Sequence, residues 1–155
     1  MVRLSDLPDF EAQHLLAKNG TLPGPRAWVA PTRKLSQRKV VLITTAGIHR
    51  AGEEPFAASD ASYRVLPGDT SGADFAMSHA SVNFDRSGFQ DDVNVVFPID
   101  RFRELVAEQK VAALASHHYS FMGAGLTPPA YESSVRQLAE ILRRDNVDTA
   151  FLTPV

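Results

Sequence analysis

The chain has 155 residues, of which 44% are hydrophobic and 22% charged, and a formal net charge of -2. That length and apolar content fit one compact domain with a real core. Scattered Lys and Arg exclude the clustered basic footprint of a nucleic-acid binder. No apolar run reaches the roughly 20 residues of a membrane span, and the lack of cysteine excludes disulfides, Cys-ligated metal and thiol chemistry by these residues.

The N-terminus is acidic and amphipathic, unlike a secretory signal, so a cytoplasmic location is expected. A helical pattern opens at Ser5-Asp6-Leu7-Pro8 and stops at Asn19-Gly20. Gly20 to Arg33, with Pro23, Pro25 and Pro31, reads as an extended arm anchored by Trp28. The boundaries that follow are 1-38 for the helix and Pro-rich arm and 39-155 for an α/β domain, incomplete at its C-terminus.

Lys39 to Gly47 is a continuous apolar run rich in β-branched residues, the pattern of a central parallel strand. Ala46-Gly47-Ile48-His49 should end it in a tight turn. Ser62–Leu66, closed by Pro67-Gly68, reads as a second strand, and Phe75–His79 as a short third. Asn83 to Asp92 reads as a loop. Val93–Phe97 is either a strand or the approach to a helix.

Pro98 opens a helix to about Lys110, with Ile99, Phe102, Leu105 and Val106 on its apolar stripe. Val111–Ala115 reads as a strand, and Phe121 to Gly125 as a flexible turn. Thr127-Pro128 opens the last helix, with Val135, Leu138, Ala139 and Leu142 as its buried stripe. Asp148 to Thr153 then reads as a short buried strand. Alternating strands and helices predict an α/β fold with a largely parallel sheet flanked by helices.

Such sheets bind ligands beyond the carboxyl ends of their strands. His49, His79 and His118 fall at predicted strand ends, with His117 and Tyr119 beside the last. Convergence would build an imidazole cluster for acid/base work or for a metal; the plain alternative is separately packed histidines. No local His pair at metal-ligand spacing supports a metal, so proton transfer is the better use. Asp92 could orient a histidine or bind a substrate amine, and Arg64 and Arg101 could grip a substrate carboxylate. Solvated loop and ion-pair roles are the alternatives. Asp100 reads as a helix-start residue. Gly123-Ala124-Gly125 lacks the marks of a phosphate loop and reads as a permissive turn.

In order along the chain, Thr45-Ala46-Gly47-Ile48-His49, Ser62-Tyr63-Arg64 with Pro67, Ser78-His79 and Asp92-Val93-Asn94 are followed by Phe97-Pro98-Ile99-Asp100-Arg101 with Glu104-Leu105. His118-Tyr119 and Phe121-Met122-Gly123 with Gly125 complete the set. From about Trp28 to Val155 the chain resembles the selenoprotein B family of the glycine, betaine, sarcosine and D-proline reductases, with the D-proline branch nearest. In that family a segment like Phe151–Val155 runs into a selenocysteine or cysteine. The resemblance therefore implies a selenol- or thiol-dependent reductase subunit whose redox residue lies downstream, and a chain inactive as it stands.

Termination at a selenocysteine codon is the expectation for the end point. The resemblance further implies reductive cleavage of a small amino-acid-type substrate, a pyruvoyl group on a partner subunit, a partner reductase subunit and a thiol electron donor. It makes His49, His79, His118 and Tyr119 the candidates for proton transfer or for orienting the nucleophile; Arg64, Asp92 and Arg101 remain, on residue type, the candidates for substrate. Two other readings stand beside it: a non-catalytic scaffold subunit of a reductase complex, and a His-cluster metal-dependent hydrolase. Apolar surface left uncovered after the last strand predicts a homo-oligomer.

Overall fold

A computed structural model describes residues 3–17, 29–81 and 84–155. The chain divides into two units between Pro31 and Thr32. The first holds a 3-10 turn, Leu4–Asp6, and helix α1, Asp9–Ala17. Pro8 separates them, since proline at the first turn of a helix cannot continue a preceding one. No residue of α1 is buried, and Phe10 is 71% exposed. The expected stop at Asn19-Gly20, most of the arm and the Trp28 anchor lie outside the described residues.

The second unit runs β1 (Lys39–Thr44), β2 (Ile48–Arg50), β3 (Tyr63–Pro67), β4 (Phe75–Met77), α2 (Ser87–Asp91), α3 (Ile99–Ala107), β5 (Ala113–Leu114), β6 (His117–Phe121), α4 (Glu132–Arg144) and β7 (Thr149–Thr153). The fold is α/β with a mostly parallel sheet flanked by helices. β1 is its centre and pairs in parallel with β5, β6 and β7, while β3 adds antiparallel to β6. Val40 pairs with both Leu114 and Thr149, and Ile43 with both Tyr119 and Leu152. β5 and β6 therefore share the side of β1 opposite β7, and β7 is an edge. β2 and β4 form a separate antiparallel pair.

Consecutive β1 side chains alternate between faces. Val40 and Leu42 enter the core that Phe97 and Ile99 complete, with Phe102, Leu105 and Val106 of α3 packed on it. Val41 enters a second core with Tyr119, Phe121 and Leu138 of α4. Each fully buried aliphatic side chain contributes about 1.5–3 kcal/mol, so a strand loaded on both faces anchors the whole unit. The α3 stripe is as the periodicity predicts. On α4 the inner stripe is Leu138, Ile141 and Leu142, while Val135, placed there by spacing, is 49% exposed.

Other expectations are corrected or resolved. The chain turns at Ala46-Gly47, where Gly47 has φ +65, and then resumes as β2, because β4 offers it a ladder. Ser87–Asp91 is one turn of helix rather than loop: the Asp85 carboxylate accepts from the Ser87 amide and hydroxyl, which sets that turn. Val93–Val95 is a 3-10 turn capped by Asp92. Phe121 lies inside β6, so His118 and Tyr119 are within a strand and not at its end. β7 is a strand as expected but not a buried one, with Phe151 41% and Leu152 65% exposed.

Candidate active site at the carboxyl edge of the sheet

β1, β6 and β7 run in parallel and so end at one edge. Thr45 ties the three ends together. Its amide donates to Thr153 O (3.1 Å), its carbonyl accepts from the Gly123 amide (2.9 Å) and its hydroxyl accepts from the Val155 amide (2.9 Å). The approach of Gly123 demands glycine, since a Cβ there would lie 2.8 Å from Thr45 O. Gly47 comes next: its amide donates to Phe121 O, and its carbonyl accepts from the Ser78 amide. A Cβ on Gly47 would meet the His79 backbone at 3.2 Å and Met122 Cε at 3.3 Å. Met122 Sδ in turn faces the Ala80 amide at 3.3 Å. Thr45 and Met122 lie in segments that carry the family resemblance, but neither was singled out in the sequence as a site residue.

His79 belongs to this edge. It is buried, its Nδ1 accepts from the Ser81 amide (3.3 Å), and its Nε2 has no hydrogen-bond partner among the described residues. Accepting at Nδ1 puts the proton of the neutral ring on Nε2. Burial and then the nearby Arg86 guanidinium make the ring less basic than a free imidazole. Phe84 packs edge-on against it. The result is a neutral, buried N–H donor beside Gly47.

The other candidate residues have different settings. His49 lies in β2 with Nδ1 2.9 Å from Arg50 O. A carbonyl only accepts, so Nδ1 carries that proton. His118 and Tyr119 face opposite sides of the sheet. His118 packs edge-on to Phe97 in the α3-side core, whereas Tyr119 packs on Tyr63 under α4, where burial raises its hydroxyl pKa. His118 is also fully buried, with Nδ1 3.0 Å from the Leu42 amide.

Arg64 is tied to Asp60, Ser62, and the carbonyls of Glu54 and Pro55, with its guanidinium over the Phe56 ring. Asp92 accepts from the Asn94 amide and side chain, which lowers its pKa. Arg101 makes an exposed ion pair with Glu104 at 2.8 Å. Among the described residues no three His, Cys, Asp or Glu side chains are grouped to hold a metal, and no helix is long and apolar enough to cross a membrane.

The family described as glycine/sarcosine/betaine reductase selenoprotein B matches residues 10–155. The chain belongs to this selenoprotein B family. It is 36% identical over 131 residues to D-proline reductase subunit gamma of Acetoanaerobium sticklandii, covering 83% of this chain and 53% of that one. It is 27% identical over 128 residues to glycine reductase complex component B subunit gamma of Symbiobacterium thermophilum, covering 79% of this chain and 30% of that one. Betaine reductase complex component B subunit beta of Peptoclostridium acidaminophilum is 25% identical over 130 residues, or 80% of this chain and 29% of that one. The chain thus spans about half the length of the first relative and under a third of the other two. No solved structure matches it.

Proposed function

We propose that this chain forms the N-terminal portion of a selenol- or thiol-dependent reductase subunit that reductively cleaves amino-acid-type substrates. The family match over residues 10–155 carries this reading. The chain has no cysteine, so the redox selenocysteine or cysteine belongs to residues outside these 155. A thiol donor supplies the two electrons and ends as its disulfide, while the amine leaves with a proton. A partner subunit carries any pyruvoyl group that activates the substrate amine.

The role of this chain's residues is to build the edge where that chemistry occurs. Thr45 and Gly123 hold the ends of β1, β6 and β7 together, and β7 delivers the backbone to that edge. His79 Nε2–H offers a hydrogen bond to an anionic nucleophile or a substrate atom, and a buried donor is worth more than one in water. His49, one residue beyond Ile48, is the second candidate for proton transfer. A low-pKa selenolate or thiolate needs such a donor environment.

The test begins with the reading frame beyond codon 155. A UGA or cysteine codon followed by further coding sequence is expected. A continuing frame with neither would sink the proposal. The full-length product, assayed with its partner subunits for substrate-dependent thiol oxidation, should lose most activity in His79→Ala. Full turnover by that variant removes His79 from the mechanism.

One observation favours a scaffold reading instead: Arg64, Asp92 and Arg101 are all engaged in local pairs. Full activity of the partner subunits without this chain, but failure to assemble, would support it.

A further inference from the structure

We propose that His118 is a positioning residue whose neutral imidazole replaces a backbone carbonyl in the central ladder and thereby sets the register of β6. The inference is independent of which reaction the family site performs. Its basis is a mismatch between two paired segments. Val40 pairs with Leu114, and Ile43 pairs with Tyr119. β1 advances from residue 40 to 43 while the opposite segment advances from 114 to 119. The excess residues form a bulge between β5 and β6.

A bulge removes ladder acceptors from the strand it faces. Ala115 still donates to Val40 O at 2.9 Å. The next amide of β1 on that side, Leu42, is fully buried and meets His118 Nδ1 at 3.0 Å. A buried amide without a partner is costly, so the imidazole repairs what the bulge breaks. Only a ring with Nδ1 unprotonated can accept this bond, and protonation of the ring would end it.

The bulge is held from the other side by β3's exit turn. The Gly68 amide donates to Ser116 O at 2.8 Å. A Cβ on Gly68 would lie 3.1 Å from Ala115 O, 3.2 Å from Ser116 O and 3.4 Å from His118 Nε2. Arg103 of α3 donates to Gly68 O at 2.6 Å and pairs with Asp100. The charged and titratable groups near the ring are therefore Arg103, its partner Asp100, and the neighbouring His117. A cation beside it favours the neutral ring.

The consequence reaches the candidate site. With the bulge, Ser120 pairs with Thr44, Gly47 bonds Phe121 O and Gly123 bonds Thr45 O. Without it, β6 would arrive displaced along β1, and Met122 and Gly123 would not meet Gly47 and Thr45. His118 thus acts through the backbone and not on substrate.

NMR of the protein labelled with 15N tests the assignment directly. The expected result is an unprotonated His118 Nδ1, a protonated Nε2, and a scalar coupling across the hydrogen bond from the Leu42 amide to Nδ1. A protonated Nδ1 at neutral pH would overturn the proposal, whatever any variant does. His118→Leu should lower Leu42 amide protection by about tenfold or more relative to Ile43, the loss expected for one buried hydrogen bond. His118→Asn places a carbonyl oxygen near the Nδ1 position and should restore most of that protection. Equal protection in His118→Leu and the parent, or no rescue by Asn, would also count against the idea.

Discussion

β1 and β7 lie side by side over five register pairs, from Val40 with Thr149 to Thr44 with Thr153. Both have apolar residues at adjacent positions, the pattern of a strand covered on both faces. Yet Leu42 is fully buried while its neighbour Leu152, one register pair on, is 65% exposed. The difference lies in what flanks each strand. β1 has β5 and β6 on one side and β7 on the other, with α3 and α4 packed over the two faces. Among the described strands β7 pairs with β1 alone, and Phe151, still 41% exposed, meets the tilted ring of Phe102. A strand's sequence sets which way its side chains point, and its neighbours set how much water they lose.

The largest test of this contrast is Leu42→Ala, which should cost about 2–5 kcal/mol of stability because the surrounding core collapses only partly into the cavity. Urea denaturation measures it; a loss no greater than that of Leu152→Ala would erase the contrast between the two strands.

Next in size is the effect of acid on β1's repaired bond. Burial first, then Arg103 and His117, depress the His118 pKa from 6.5 to about 4 in the folded protein. The unfolded chain therefore binds this proton more readily. Stability from this group is full above pH 6.5 and is lost as pH falls toward 4, by up to about 3 kcal/mol. Urea midpoints between pH 7 and pH 4 should fall less in His118→Asn than in the parent. Parallel pH profiles would contradict the shift.

A smaller effect is expected at the shared edge of the two strands. Gly123→Ala drives a methyl to within 2.8 Å of Thr45 O and should cost about 1–3 kcal/mol through forced backbone movement. Thermal melts would reveal it, and an unchanged midpoint would mean the edge yields freely. Smallest is Leu152→Ser on the open strand, within about 0.5 kcal/mol for folding. The same variant should reduce self-association in light scattering if the exposed apolar residues of β7 drive it. Unaltered scattering would assign any association to another surface.

β1 was legible from its unbroken β-branched run, and α3 from the 3.6-residue spacing of Ile99, Phe102 and Val106. β7 was legible as a strand and misread as buried. The histidines were legible only as residue types. Their apparent position at strand ends failed for His118 because the two-segment strand β5–β6 continues through a bulge that no period in the sequence marks. Arg64 could be read as a substrate clamp, with an ion-pair partner the better reading, and its four local partners emerge only when the loop before β3 folds back on it.

The order of residues alone determined β1, α3, α4, the α/β class and the family, because apolar period, turn chemistry and ordered motifs are local properties of the chain. Tertiary structure decided which strand lost its water and which ring nitrogen was engaged. Those outcomes depend on groups far apart in sequence, as when the amide of Leu42 meets the imidazole of His118.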